Sequence, residues 1–318
     1  MVKIAIAGGT GELGREVTEA LVATGKHDIT VLTRAVRSDI PGVTQRAVDY
    51  DDHDGLAQAL HGIHTVLSFV NQLMEAPDKN CQKSLIDACI SAGVKRFAPS
   101  EYGSLGKVDL PFWKKKKATR EYLEQVNRHA KVLEYTLFQP GLLLDYLATP
   151  FKTSKYVTPL DTFIGFQDRR AIVVEGHEDA VLTLTAVRDI VGVVVQAVDY
   201  DGEWPRLGGV RGNRVTVSTI LEVGARIRGR PFSVERVQVE DLERGRLNTS
   251  WSLGKPHPGF TPEQTGQMEA MLQTVLISIL LSVVKEDWEV SDAWNKCLPD
   301  FRFTDIESFL DEVWKGKD

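Results

Sequence analysis

Apolar positions in the first 140 residues follow two alternating rhythms. Val2–Ala7 reads as a buried strand, and Glu12–Thr24 as a helix that turns Leu13, Val17, Ala20 and Leu21 to one side before Gly25 stops it. Asp28–Thr33 and Thr65–Val70 read as strands, and Asp54–Leu60 as a helix ended by Gly62. Asp78–Ala92 predicts a helix with Leu85, Ile86, Cys89 and Ile90 inward and Gly93 as its C-cap. A strand at Arg96–Pro99, a helix over Trp113–Val126 and a strand at Glu134–Gln139 complete the series. Strands that alternate with helices need crossovers, so the pattern predicts a parallel sheet with right-handed connections and both faces covered.

After Gly141 the rhythm breaks. Asp161–Val174 suggests a hairpin, Val187–Ile190 leads into a helix, and Ser218–Ile227 is a helix stopped at Gly229. Thr304–Trp314 is an amphipathic tail helix. With no repeat and no low-complexity linker between the halves, the expected class is α/β: a Rossmann doubly wound parallel sheet over 1–149, and a smaller C-terminal α/β lobe for substrate over 150–318. The boundary is soft, and some later segments are expected to return to the first domain.

Composition narrows the function classes. The 318 residues are 42% hydrophobic and 26% charged, ordinary for a globular chain. A net charge of −6 gives no electrostatic pull toward nucleic acid or an anionic membrane. Cys81, Cys89 and Cys297 are too few and too scattered for a disulfide framework or a closed zinc site, which fits a reducing compartment and no metal. Met1 runs straight into the first strand, so no leader is expected, and the longest apolar run, Met271–Val284, falls short of the ~20 residues that cross a bilayer. The expectation is a cytoplasmic protein whose partner is a small molecule, with a homodimer as the oligomer considered.

The strongest local signal is Gly8-Gly9-Thr10-Gly11-Glu12-Leu13-Gly14, a G-x-x-G-x-x-G spacing between strand and helix. A pyrophosphate needs backbone N–H groups at a helix start and no Cβ in the way. Gly8 permits the sharp turn, Gly11 the close approach, and Gly14 the packing of helix on strand. The second strand ends Val31-Leu32-Thr33-Arg34, with Arg37 three residues on and no acid where NAD sites hold one. Arg34 can pair bidentately with a ribose 2′-phosphate, which favours NADP(H), or it is a solvated strand-end residue.

Next comes Ala92-Gly93-Val94-Lys95-Arg96-Phe97-Ala98-Pro99-Ser100-Glu101-Tyr102-Gly103. With the glycine loop and Arg34, this stretch resembles the NmrA-like/isoflavone reductase-like branch of the atypical short-chain dehydrogenases/reductases, and most of all fungal NmrA-like oxidoreductases. The likeness covers residues 1–145 and continues more loosely through Thr185–Ile190 and the tail helix. It implies a catalytic lysine in a helix beginning K-x-x-x-R-x-x-[IL]-E. Lys116-Lys117-Ala118-Thr119-Arg120-Glu121-Tyr122-Leu123-Glu124 fits, so Lys116 corresponds to that acid/base. Common short-chain dehydrogenases use Tyr-x-x-x-Lys, but Phe112 stands four residues before Lys116 and no other such pair occurs. A phenyl ring transfers no proton, so Lys116 acts itself or orients a water.

Desolvation and the neighbouring Lys114, Lys115 and Lys117 would lower the pKa of that ammonium, yet at 100° per residue the four cannot share one site. The resemblance also implies Ser68, Phe69 and Val70 around the cofactor ribose, and Pro140, Gly141 and Leu142 beside the nicotinamide. Ser100, Glu101 and Tyr102 lie at a strand's C-terminal end, where open parallel sheets bind ligands. There Tyr102 is a substrate hydrogen-bonding candidate or simply packs, and Leu142 is a second substrate candidate. His53, His61 and His64 read as surface residues, His177 and His257 as unplaced candidates, and Asp189 as an N-cap. Trp204, Trp251, Trp288 and Trp294 read as core.

The expected function is an NADP-dependent oxidoreductase, a reductase delivering hydride to an enone, quinone methide or benzylic ether. Two alternatives stay open: a dinucleotide-sensing regulator without turnover, and a redox-neutral isomerase or dehydratase.

Overall fold

A computed structural model of the chain describes residues 1–36, 40–72, 79–108, 114–251 and 262–317. In chain order it begins with β1 (Lys3–Ala7), α1 (Glu12–Thr24), β2 (Asp28–Thr33), β3 (Thr44–Ala47), α2 (His53–Ala59) and β4 (Thr65–Ser68). It continues with α3 (Cys81–Ala92), β5 (Arg96–Ala98), α4 (Lys114–Val126), β6 (Glu134–Tyr135), β7 (Leu137–Gln139) and β8 (Leu142–Leu143). After a 3₁₀ turn come β9 (Ile164–Gly165), β10 (Arg170–Val174), β11 (Val181–Thr185), α5 (Val187–Asp199), β12 (Leu207–Gly209) and β13 (Asn213–Thr216). The chain closes with α6 (Val217–Ile227), β14 (Ser233–Val237), α7 (Val239–Glu243), α8 (Pro262–Val284), α9 (Ala293–Cys297) and α10 (Ile306–Trp314).

The main sheet has six parallel strands in the order β3-β2-β1-β4-β5-β6. Its central strand shows why both faces are covered. Ile4 and Ile6 point to one side, where they meet Val17 and Leu21 of α1 and Val193 and Ala197 of α5. Ala5 and Ala7 point to the other, against Leu56 of α2 and Leu85 and Cys89 of α3. Period-two alternation in a strand sends neighbours to opposite layers, and each fully buried Ile, Leu or Val stabilises by about 1.5–3 kcal/mol. A third core, with Phe166, Ile172, Leu184, Leu280 and Trp314, sits among the shorter sheets of the second half.

Several boundaries differ from the sequence pattern. Helix α5 packs on α1 of the main sheet although it follows β11 of another sheet. The run Glu134–Gln139 is two strands: Glu134 and Tyr135 pair with β5, whereas Leu137–Gln139 pair with β12. The switch comes at Thr136, whose hydroxyl donates to Pro205 O at 2.6 Å. Helix α3 starts at Cys81, capped by Asn80, rather than at Asp78, which lies outside the described residues. Asp189 is not an N-cap. Ala186 holds that position, and the Val187 N–H donates instead to Asp145 Oδ2 at 2.7 Å. Asp189 turns its carboxylate to the Thr304 N–H and hydroxyl at 2.8 and 2.9 Å, and burial raises its pKa. No helix among the described residues is long and apolar enough to cross a membrane.

Candidate active site

The glycine turn follows from clearance. Gly8 has φ 74°, a conformation that favours glycine, and a Cβ there would lie 2.8 Å from the Phe69 carbonyl carbon. A Cβ on Gly14 would lie 2.3 Å from Gly8 O. The Gly11 N–H closes the turn on Gly8 O at 3.0 Å, and Gly11 caps α1 with no side chain on the helix amides. Those first-turn N–H groups, at the positive end of the helix, remain for an anion. Thr18 braces the arrangement, its hydroxyl 2.7 Å from Gly14 O and 3.2 Å from Gly9 O.

A groove of about 1030 Å³ opens beside this turn. Gly8, Thr10 and Gly11 line it together with Thr33, Arg34, Tyr50, Phe69, Val70, Asn71 and Cys81. Arg34 is exposed at the end of β2, and no carboxylate is among the described residues that line the groove. Uncapped amides, a cradle that any Cβ would fill and a guanidinium at the next strand end fit a dinucleotide with a phosphorylated ribose. Burial pushes the Tyr50 phenol up in pKa, the neighbouring Cys81 adding to the rise and Arg34 opposing it.

Buried Gln82 ties the strand ends behind the groove. Its Nε2 donates to Ser68 Oγ at 2.7 Å, and its Oε1 accepts the Ser100 N–H at 3.2 Å. Phe69 stacks on Tyr102 with centroids 4.6 Å apart, and Tyr102 on Phe138 at 6.1 Å. Tyr102 holds φ 32°, and its hydroxyl is buried without a hydrogen-bond partner among the described residues. Burial raises its pKa well above the usual phenol range, so the ring packs and the proton stays.

Helix α4 brings Lys116 against the loop after β5, at the residue next to Tyr102 in the chain. The lysine is half-buried, and its Nζ donates to the Glu101 carbonyl. One turn on, the Arg120 guanidinium forks around the Glu101 carboxylate at 3.1 and 2.5 Å and also donates to Leu105 O. Burial lowers the Lys116 pKa, Glu101 opposes that shift and Arg120 adds to it. Gly141, at φ 74°, donates its N–H to Gly103 O at 3.2 Å, and a Cβ there would lie 2.3 Å from Thr183 O. The Pro140 carbonyl accepts the Thr185 hydroxyl at 2.7 Å. Lys114 and Lys117 are exposed.

This combination has relatives. The sequence matches the NmrA-like family over residues 2–275. The chain belongs to the NmrA-like family. Oxidoreductase swnN of Metarhizium robertsii is 27% identical, with 100% of this chain and 98% of the relative covered. Eugenol synthase 1 of Petunia hybrida is 32% identical over 59% of this chain and 65% of its own length. Among solved structures, the NADPH-dependent quinone oxidoreductase QOR2 of Escherichia coli, complexed with NADPH, has a TM-score of 0.67 at 18% identity, covering 98% of this chain and 100% of that one.

In this NmrA-like protein the residues singled out from sequence fall into three groups. Gly8, Thr10, Gly11, Arg34, Phe69 and Val70 line the groove, with Glu12, Leu13 and Gly14 forming the helix start beside it. Lys116, Pro140 and Gly141 meet at the loop after β5, beside Tyr102. Leu142 is only 8% exposed and packs in the core of the second half, while Ser68 lies buried behind the groove. Arg37, Phe112 and His257 lie outside the described residues. His177 sits in the turn after β10, and Trp204, Trp288 and Trp294 are core. Sequence reasoning missed Gln82 as a brace, Tyr50 and Cys81 as groove walls, and Glu101 as the partner of Arg120. The last was detectable, since the lysine pattern carries an arginine one turn on whose guanidinium needs a carboxylate. Among the described residues no group of three or more His, Cys, Asp or Glu is placed to hold a metal.

Proposed function

We propose that this protein is an NADPH-dependent reductase that delivers hydride to an electrophilic carbon of a conjugated or aromatic small molecule, of the enone, quinone methide or benzylic ether type. Gly8, Gly11 and the first turn of α1 hold the pyrophosphate, and Arg34 the 2′-phosphate. Bound there, the coenzyme supplies the hydride. Lys116 supplies the proton: its ammonium is kept in place by the Glu101 carbonyl and destabilised by burial and by Arg120, so it gives up H⁺ more readily than a surface lysine. The observation that carries this reading is the half-buried lysine whose ammonium rests on the Glu101 carbonyl, in the loop after β5 that also accepts the Gly141 N–H.

The test is loss of reduced-nicotinamide absorbance with a panel of enones, quinones and benzylic ethers. Lys116→Ala is expected to lower turnover about 10²–10⁴-fold, the usual size of acid–base catalysis, while NADPH binding by calorimetry is retained. Full activity in the variant removes Lys116 from the chemistry. The pH profile has a definite sign. The ammonium is the active form, so turnover falls as pH rises through a midpoint below the ordinary lysine value of about 10.4. Stability moves the opposite way: the cost of burying the charge is present below that midpoint and fades between it and the ordinary value.

A further inference from the structure

The loop after β5 is gripped from two sides. Arg120 takes the carbonyls of Ser104, at 3.4 Å, and of Leu105, and Lys116 takes that of Glu101. The opposite side of the same residues is taken by Asp287, fully buried in the turn that closes α8. Its Oδ2 accepts the Ser104 hydroxyl at 2.9 Å, its Oδ1 the Lys107 N–H at 2.7 Å, and its carbonyl the Leu105 N–H at 2.9 Å. The residue before it, Glu286, stands at φ 50°, a backbone conformation that a residue with a side chain holds only when its surroundings impose it. A buried carboxylate is tolerated only when its oxygens are satisfied, and here the loop satisfies both.

We propose that Asp287 is a positioning residue for Lys116: from the second half of the chain it fixes the loop whose Glu101 carbonyl receives the ammonium. Ser104 and Leu105 are the shared residues. Asp287 holds them through hydroxyl and N–H, Arg120 through C=O, so a displacement of the end of α8 is passed to the lysine corner within a few residues. Because this rests on the reductase reading only for its catalytic consequence, the test has one arm that needs no turnover.

In that arm the lysines are reductively methylated with ¹³C and titrated by NMR in the wild type, Asp287→Asn and Ser104→Ala. Among the described residues, the charges that act on Lys116 include Glu101, from the loop, and Arg120, on its own helix. Lys116 is expected to titrate below the exposed lysines in the wild type and to move up toward them in both variants, as a loosened loop admits water to the ammonium. Ser104→Ala removes a single hydroxyl and decides the matter if Asp287→Asn does not fold. An unchanged Lys116 midpoint in a folded variant overturns the proposal.

In the second arm NADPH and menadione are the probes. Asp287→Asn is expected to lower kcat about ten- to a hundredfold, the scale of a small misplacement, with KM and NADPH affinity little changed. It is expected to add nothing in a Lys116→Ala background. An equal loss in both backgrounds means general damage and overturns the proposal. If the wild type does not turn over at all, the reductase reading fails, and the NMR titration still decides the role of Asp287.

Discussion

The groove beside the glycine turn and the lysine corner both follow C-terminal strand ends of the main sheet and are built by different means. The groove's glycine end is local: Gly8 to Gly14 fold on themselves, and the features that matter are a positive φ, missing Cβ atoms and helix amides that no side chain caps. The lysine corner draws on Glu101 to Leu105, on Lys116 and Arg120, and on Gln139 and Gly141, joined by side-chain and backbone hydrogen bonds in a partly water-excluded place. Clearance makes the first site and hydrogen bonds between distant residues the second. The groove should therefore respond to added bulk and the corner to lost partners.

Changes at each site sharpen that contrast. The largest effect on stability is expected at Glu101→Gln. It breaks a pair in which the Glu101 side chain is 1% and the Arg120 side chain 17% exposed, leaving the guanidinium without its counter-charge. Removing one member of such a pair costs about 3–5 kcal/mol, read from urea unfolding, and turnover should fall with it. A change under 1 kcal/mol would show that the corner is not organised by this pair.

Gly14→Val acts by bulk. With even a Cβ 2.3 Å from Gly8 O, the turn must open, an overpacking cost of about 1–3 kcal/mol. Calorimetry is expected to show NADPH binding weakened roughly ten- to a hundredfold, with circular dichroism retained. Binding as tight as in the wild type would mean that the turn does not cradle the pyrophosphate.

Arg34→Ala is milder, because the guanidinium is exposed. Loss of one charge-assisted contact of about 1.5 kcal/mol is expected to raise the Kd for NADPH about tenfold while leaving that for NADH unchanged. Equal effects on both coenzymes would remove Arg34 from 2′-phosphate recognition. Smallest of all is Lys117→Ala. Next to Lys116 but exposed, it should leave turnover within about twofold, since exposed charges contribute little. A large loss there would shift the acid/base role along the run.

Most of the first half was legible, down to the ends of α1 and β2, because local signals coincide there: alternation, helix period and a glycine in the left-handed region at Gly25. Strand β3 was not, since Thr44-Gln45-Arg46-Ala47 lies at the sheet edge with no residue buried and so carries no apolar signal. Glu134–Gln139 reads as one strand because its composition is continuous. Its division follows from partners at positions 96–97 and 207–209, which no window around it contains. Asp189 sits where a cap is expected, but Asp145, 42 residues earlier, takes the Val187 amide, and Asp189 accepts the Thr304 N–H instead.

By itself the sequence determined the alternation of strands and helices, the glycine turn and the presence of an arginine where a carboxylate would mark the other coenzyme, because each depends on residues within a few positions of one another. Only the tertiary structure decided that Lys116 rests on the Glu101 carbonyl, that Arg120 closes on the same glutamate, and that Asp287 reaches Ser104 from 183 residues away. Those contacts form only once packing has excluded water, when the buried charges and amides accept whichever partners the fold has brought alongside.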